Sequence, residues 1–384
     1  MDSRNHSLAD FFDVDADITG RAKMFGEYLK DIREKRHLQY RRISTDGSGP
    51  VMKVVDHYTG KIREMVYLAS NDYLNLTKHP RTIAAGRKAL EKYGSGAGSV
   101  HLLGGTLDIH IELEKKIAKF KGCEDSIIYT SGFGSNCGSL LSILQEKDIA
   151  ILDTYVHASI IDGCKSTNIR FFRHNDMNSL ERVLERVKDK YRTKLIAVDG
   201  VYSMDGDIAP LDRIAELAKT HGAYVMVDEA HATGVIGDTG RGTPQHHKIE
   251  GKVDIVAGTL SKALGGVGGF IAANSELVEL LRYYSRPYIF STAMTPQVAG
   301  SLLAAIDVIE EEPEHRERLW ENIRYFKSNL TALGFDLGNS ETAIFPIIIG
   351  NDLKVKEICR RLHELDIYVN PVMYPAVPKR LSRI

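Results

Sequence analysis

The sequence predicts an α/β fold: a mostly parallel seven-stranded sheet flanked by helices, with a smaller α+β domain toward the C-terminal end. Three observations carry that expectation. From Ser126 onward, short apolar runs alternate with helical patterns, as in a sheet built from strand–helix–strand units. The runs are apolar at successive positions, the pattern of strands buried on both faces. Several end in a cluster of polar residues, and in such sheets ligands sit beyond the carboxyl ends of the strands.

Length and composition bound the rest. With 384 residues, 43% of them hydrophobic and 26% charged, the chain can bury one large core and a smaller second one. The expected division is an N-terminal helix and hairpin over 1–66, a large domain over 67–295 and a small C-terminal domain over 296–384. A formal net charge of −1 offers no field to nucleic acid, so the expected partners are small molecules or proteins. The start is acidic and not signal-like, and no apolar run nears the ~20 residues of a membrane span, which leaves at most peripheral membrane contact. Cys123, Cys137, Cys164 and Cys359 form no C-x-x-C pair; this argues against a disulfide framework or zinc ribbon and fits a reducing cytoplasm.

Taken in order, Met24, Tyr28, Leu29, Ile32 and Leu38 recur at helical spacing and predict an amphipathic helix between Ile18 and Arg42. The alternating MKVVDHYTGKIREMVYL reads as a hairpin turning at Thr59–Gly60. Asn71 and Tyr73 follow another strand end, where Asn71 can be a helix cap or a substrate donor. The stretch from Gly94 to Thr106 is glycine-rich and permits close approach of backbone to a ligand. No apolar strand precedes it, so it is not a dinucleotide-binding fingerprint. HIELEKKIAKFKG then reads as an amphipathic helix whose acidic-then-basic order suits its dipole.

The seven strand candidates are SIIYT, IAILDT, IRFFR, KLIAVDG, AYVMVDEAH, VDIVAGT and GGFIAA, with helical patterns between most of them, including Ser179 to Lys190 and Leu211 to Thr220. After the first comes Gly132–Phe133 at the start of a helix, where free N–H groups and the dipole suit a phosphate. After the second comes His157; after the fourth, Ser203. The fifth ends in Asp228 with His231 close behind. A carboxylate closing an apolar strand is costly unless paired, and a protonated ring nitrogen, as in pyridoxal phosphate, is one natural partner. A magnesium site is the rival, but the glycine-then-lysine phosphate loop that would accompany it is missing. The sixth run leads into Thr259-Leu-Ser261-Lys262 and then small residues. Most lysines are exposed, but an amine held in such a setting loses water and becomes nucleophilic near neutral pH, as Schiff-base lysines require.

With Asp228, His231 and Thr259-Leu-Ser261-Lys262 in view, the chain resembles the α-oxoamine synthases of the fold-type I pyridoxal-phosphate enzymes, from about Tyr67 to the end. The strings GTLSKALGG, VDEAH, HASIIDG and DG-x-x-SM-x-GD carry the resemblance. It implies a decarboxylative condensation of a small amino acid with an acyl-CoA to an α-aminoketone, in a homodimer with shared active sites. Carried over by position, Lys262 holds pyridoxal 5'-phosphate and acts as acid/base at the α-carbon, and Asp228 pairs with the pyridine nitrogen. His157 lies against the ring, and His231 and Ser203 approach its phenolic oxygen. Gly132, Phe133, Thr259 and Ser261 contact the phosphate, with Ser291 and Thr292 reaching the neighbour's. Asn71 and Tyr73 serve the substrate pocket.

Within the family, ALGFDLGNSETAIFPIIIG and YVNPVMYPAVP look most like bacterial serine palmitoyltransferases. This implies serine plus a long-chain acyl-CoA, giving a 3-keto sphingoid base. SRPYIFS and GRGTPQ also look like glycine C-acetyltransferase, so that reaction, or one using another small amino acid, is the alternative. The chain departs from the family in two places. His101 stands where an arginine is usual. The arginine that grips the substrate carboxylate would come next after Ile384; Arg383 is a poor substitute because neighbouring strand residues face opposite ways, so the chain is expected to be truncated and to bind amino acids weakly. Three other classes compete: an aminotransferase, a non-catalytic partner subunit, disfavoured by the joint presence of Lys262, His157 and Asp228, and an unrelated α/β binding protein. His246–His247 lacks further ligands, so no metal is expected.

Overall fold

The computed structural model describes residue 2 and residues 6–12 and 14–384. Every one of the seven expected strands forms, and together they make one sheet. Three strands precede them: β1 (Ile43–Ser44), β2 (Val51–Val55) and β3 (Ile62–Tyr67). The seven are β4 (Asp125–Tyr129), β5 (Ile149–Asp153), β6 (Asn168–Phe172), β7 (Lys194–Asp199), β8 (Tyr224–Asp228), β9 (Ile255–Thr259) and β10 (Gly269–Ala273). A last short strand is β11 (Ile367–Tyr368).

The large sheet runs β4-β10-β9-β8-β7-β5-β6. Strands β6, β5, β7, β8 and β9 are mutually parallel, while β10 is antiparallel to both of its neighbours, β9 and β4. The carboxyl ends of β4, β5, β7, β8 and β9 therefore share one edge, and β10 begins there. All residues of β5, β9 and β10 are buried, which explains their unbroken apolar character. Side chains such as Ile127, Leu152, Ala197, Met226 and Ile271 meet the helices Gly132–Ile143 and Ser275–Tyr284 in one core. The expected helices also form, over Ile18–Glu34, Asp108–Lys121, Met177–Arg186 and Leu211–His221.

The chain divides into two compact units, one of residues 71–203 and 207–322, the other of residues 1–70, 204–206 and 323–384. This differs from the expected boundaries at 66 and 295. The N-terminal hairpin does not stand apart, because β3 pairs in parallel with β11, Val66 opposite Ile367. At the other boundary, the helix Pro296–Glu311 belongs with the large unit, where its buried Ala299, Leu302 and Ile306 join the core. The hairpin turns where expected: Asp56 Oδ1 accepts the N–H groups of Tyr58 and Thr59 (2.8 and 2.9 Å), ahead of Gly60. No helix among the described residues is long and apolar enough to cross a membrane.

Candidate active site

The shared edge of the large sheet opens into a cavity of about 180 Å³. The carboxyl ends of β4, β5, β7, β8 and β9 contribute to it. Gly132 and Phe133 follow β4, His157 follows β5, Asp199 ends β7, Val201 and Ser203 follow it, Asp228 ends β8, and Gly258 to Lys262 close β9. Ten of the expected residues, Gly132, Phe133, His157, Ser203, Asp228, His231, Thr259, Ser261, Lys262 and, through His231, Tyr73, are thus brought together.

Lys262 sits in a tight turn, with its carbonyl accepting the Gly265 N–H at 2.8 Å. Gly265 has φ +67°, and a Cβ there would lie 2.6 Å from the Thr77 nitrogen, so the turn needs glycine. Burial lowers the pKa of the Lys262 ammonium, although the carboxylates of Asp228 and Asp199 oppose the shift. The amine thus comes closer to its nucleophilic form, as a Schiff-base lysine requires.

Asp228 is 6% exposed. Its Oδ2 accepts Asn136 Nδ2 (2.6 Å) and its Oδ1 accepts the Ala230 N–H (2.9 Å), leaving lone pairs for one further donor. Asp199 lies beside it in register across β7 and β8. Burial, reinforced by the Asp228 charge, raises the Asp199 carboxyl well above its usual range, against the hydrogen bond from the His157 N–H. Neither Asp199 nor Asn136 was expected at the site. Asp199 carried the same signal as Asp228, a carboxylate ending an apolar strand.

His231 Nδ1 meets the Tyr73 hydroxyl at 2.7 Å. Burial, then the neighbouring Lys262 ammonium, push its pKa well down, so it is neutral at pH 7. The hydrogen bond ties the His231 ring to the Tyr73 phenol. The helix Gly132–Ile143 opens with Ser131 Oγ accepting the Gly134 N–H. The first N–H groups of that helix have no partner within it. A Cβ on Gly132 would lie 3.0 Å from Thr259 Cβ, so the helix start packs directly on the end of β9. Thr259 and Ser261 share a hydrogen bond of 2.8 Å there.

These groups fit pyridoxal 5'-phosphate by their chemistry. There is an amine of lowered pKa, a carboxylate with acceptor capacity left, and a helix start flanked by hydroxyls. One buried polar atom at the cavity, Asn136 Oδ1, has no hydrogen-bond partner among the described residues.

Three expected residues lie elsewhere. Asn71 is exposed, and Asn71, Ser291 and Thr292 do not line the cavity of their own chain. His101, the departure from the usual arginine, is 7% exposed and stacks flat on Tyr288 (4.6 Å, 1°) with Nδ1 at 3.1 Å from Thr106 Oγ1. Burial, with the nearby His110, lowers it to about 4, so it is a neutral packing residue and no cationic stand-in. Arg383 is 2% exposed and bound to Met204 O and Asp205 Oδ1 (2.7 and 2.8 Å), which commits its guanidinium to structure.

Among the described residues, one group of possible metal ligands converges, His79, Glu312 and His315. Each imidazole presents Nε2 to Glu312 Oε2, at 3.3 and 3.4 Å. Both Nδ1 atoms accept, from the Arg81 N–H and from Arg318, which places the ring protons on Nε2. Arg81 takes the other carboxylate oxygen. The cluster is an ion-pair network that closes on itself. His247 spends its ring nitrogens on Ala209 O (2.9 Å) and Asp212 (3.4 Å).

The family Aminotransferase class I and II matches residues 63–384. The 8-amino-7-oxononanoate synthase of Thermoanaerobacter pseudethanolicus is 45% identical, over 93% of this chain and 91% of the relative. The corresponding synthase 1 of Bacillus subtilis is 47% identical over 84% and 82%. Among solved structures, serine palmitoyltransferase of S. paucimobilis with PLP and myriocin matches with TM-score 0.89 and 33% identity, covering 96% of this chain and 92% of that one. The 8-amino-7-oxononanoate synthase of Francisella tularensis matches with TM-score 0.71 and 28% identity, over 83% and 90%.

Proposed function

We propose that this chain, which belongs to the α-oxoamine synthases of the class I and II aminotransferase family, joins alanine to a seven-carbon dicarboxylic acyl-CoA with loss of carbon dioxide. The family has the fold-type I architecture, performs acyl transfer and uses pyridoxal 5'-phosphate. The observation that carries the substrate assignment is the 45% identity to an 8-amino-7-oxononanoate synthase along nearly the whole chain. The product's name dictates its precursors. The ketone carbon is a former thioester carbonyl. The amine-bearing carbon and its methyl are what alanine leaves on losing its carboxyl, and the remaining carbons end in a carboxylate. Serine with a long acyl chain, the expectation from the C-terminal strings, gives way to the alternative of another small amino acid.

In this reading Lys262 binds the cofactor and moves the proton at the amino acid's α-carbon, aided by the burial that lowers its pKa. Bound pyridoxal 5'-phosphate supplies the electron sink that makes that proton removable. Asp228 keeps the ring nitrogen protonated; His157, His231 and Ser203 line the space for the ring. The N–H groups at Gly132 and Phe133, with Thr259 and Ser261, take the phosphate, as free helix starts do. Tyr73 holds His231 and, with Asn71, serves the substrate. A homodimer gives Ser291 and Thr292 a role, serving the neighbouring copy's site while standing outside their own.

The test is thiol release from heptanedioyl-, acetyl- and palmitoyl-CoA with alanine, glycine or serine, with the product identified by mass. Alanine with heptanedioyl-CoA is the expected pair. Turnover restricted to serine and palmitoyl-CoA would establish the second reading, which the higher TM-score to serine palmitoyltransferase favours.

A further inference from the structure

Asn136 lies one turn into the helix Gly132–Ile143, is 3% exposed, and has no part in the roles above. Its amide nitrogen donates twice, to Asp228 Oδ2 at 2.6 Å and to Ser159 Oγ at 2.9 Å. The reversed amide would set its oxygen against a carboxylate at that distance, so the orientation is fixed by charge. Ser159 Oγ, accepting from Asn136, has one hydrogen left to give, and His157 Nδ1 lies 2.7 Å away. The Ser159 backbone N–H points at the same nitrogen, at 3.3 Å. Two donors converge on Nδ1, which therefore carries a lone pair. Among the described residues the other ring nitrogen has no protein partner.

We propose that Asn136 is a positioning residue: with one amide it orients the Asp228 carboxylate and, through Ser159, fixes His157 as the tautomer protonated on Nε2. His157 then offers the cavity an N–H donor and no lone pair. Such a ring can hold an acceptor group of cofactor or substrate, but it cannot take a proton there without first breaking its bond to Ser159. Only the consequence for catalysis rests on the functional reading above. The tautomer is a property of this chain and can be measured with or without cofactor.

The experiment is nitrogen-15 NMR of histidine-labelled full-length protein, with His157→Gln identifying the signal. In the wild type, His157 should show an unprotonated Nδ1 and a protonated Nε2. Ser159→Ala and Asn136→Leu should each turn that single state into a mixture. Asn136→Leu, which also frees Asp228, should in addition release pyridoxal 5'-phosphate about tenfold faster than Ser159→Ala does. A proton on Nδ1 in the wild type, or an unchanged tautomer in Ser159→Ala, overturns the proposal. So does equal cofactor retention in the two variants. A wild type that keeps the tautomer but binds no pyridoxal 5'-phosphate sinks the functional reading instead. Thermal unfolding of both variants identifies any that fail to fold, and Ser159→Ala carries the tautomer test by itself.

Discussion

Raising the pH should loosen the loops around the cavity through a single histidine. His174 lies between two carboxylates, Nδ1 at 3.0 Å from Asp153 and Nε2 at 2.7 Å from Asp207, with 20% of its side chain exposed. Tyr155 stacks on its ring at 4.3 Å and Tyr202 meets it edge-on at 4.5 Å. Burial disfavours its charge, but the two carboxylates outweigh burial and raise its pKa to about 9. Asp153 also accepts the Tyr155 N–H, shaping the turn that leads to His157, and the Asp207 carbonyl accepts the Tyr202 N–H beside Ser203. The imidazolium therefore ties together two loops that line the cavity. Its folded pKa is raised above the ordinary 6.5, so its stabilisation is complete below ~6.5 and is lost as pH rises through about 9. The difference between those values corresponds to about 3 kcal/mol. Urea unfolding of the wild type and of His174→Gln across this window should show the wild-type advantage shrinking by about that amount. Parallel pH profiles for the two proteins would refute the charge assignment.

Two further outcomes follow from buried contacts. Glu229 is fully buried, with Lys121 Nζ 3.6 Å from Oε2 and the Thr243 N–H at 2.9 Å. Removing it in Glu229→Ala leaves a buried ammonium and should cost about 3–5 kcal/mol by thermal or urea unfolding, while Glu229→Leu with Lys121→Met should recover most of it; a loss under ~1 kcal/mol in the single variant would contradict this. Gly265→Ala forces a side chain onto φ +67° and against the Thr77 nitrogen. It should cost about 1–2 kcal/mol from the backbone alone and displace the Lys262 turn. Reduced cofactor absorbance and turnover are expected, and wild-type values for both would contradict the close fit.

The inner strands of the large sheet were legible because burial on both faces leaves no polar position to break the run; the edge strand β6 is half exposed, and there Phe171 and Phe172 gave the signal. The order of the strands was not legible. Nothing in GGFIAA says that it lies antiparallel between β4 and β9, since strands buried on both faces present similar apolar surfaces to any neighbour. The pairing of β3 with β11 was hidden for a different reason: it joins segments some 300 residues apart, one of them only two residues long. At the site, Lys262, Asp228 and His157 stood out because charged or titratable groups at strand ends are costly without a purpose. Asn136 did not, because an asparagine inside a helix is ordinary until Asp228 and Ser159 are seen beside it. His101, which stands where the family usually has an arginine, packs on Tyr288 and is part of the core, a placement that its sequence neighbours do not reveal.

By itself the sequence determined which segments are strands, which residues end them, and therefore the kind of chemistry the chain can support, because those depend on local periodicity and on the cost of burying charge. Tertiary structure decided which strand ends are neighbours. It set Asp199 beside Asp228, hung His157 on Asn136 through Ser159, and enclosed Lys262 where water is scarce. Those are consequences of long-range pairing and desolvation, which no local pattern encodes.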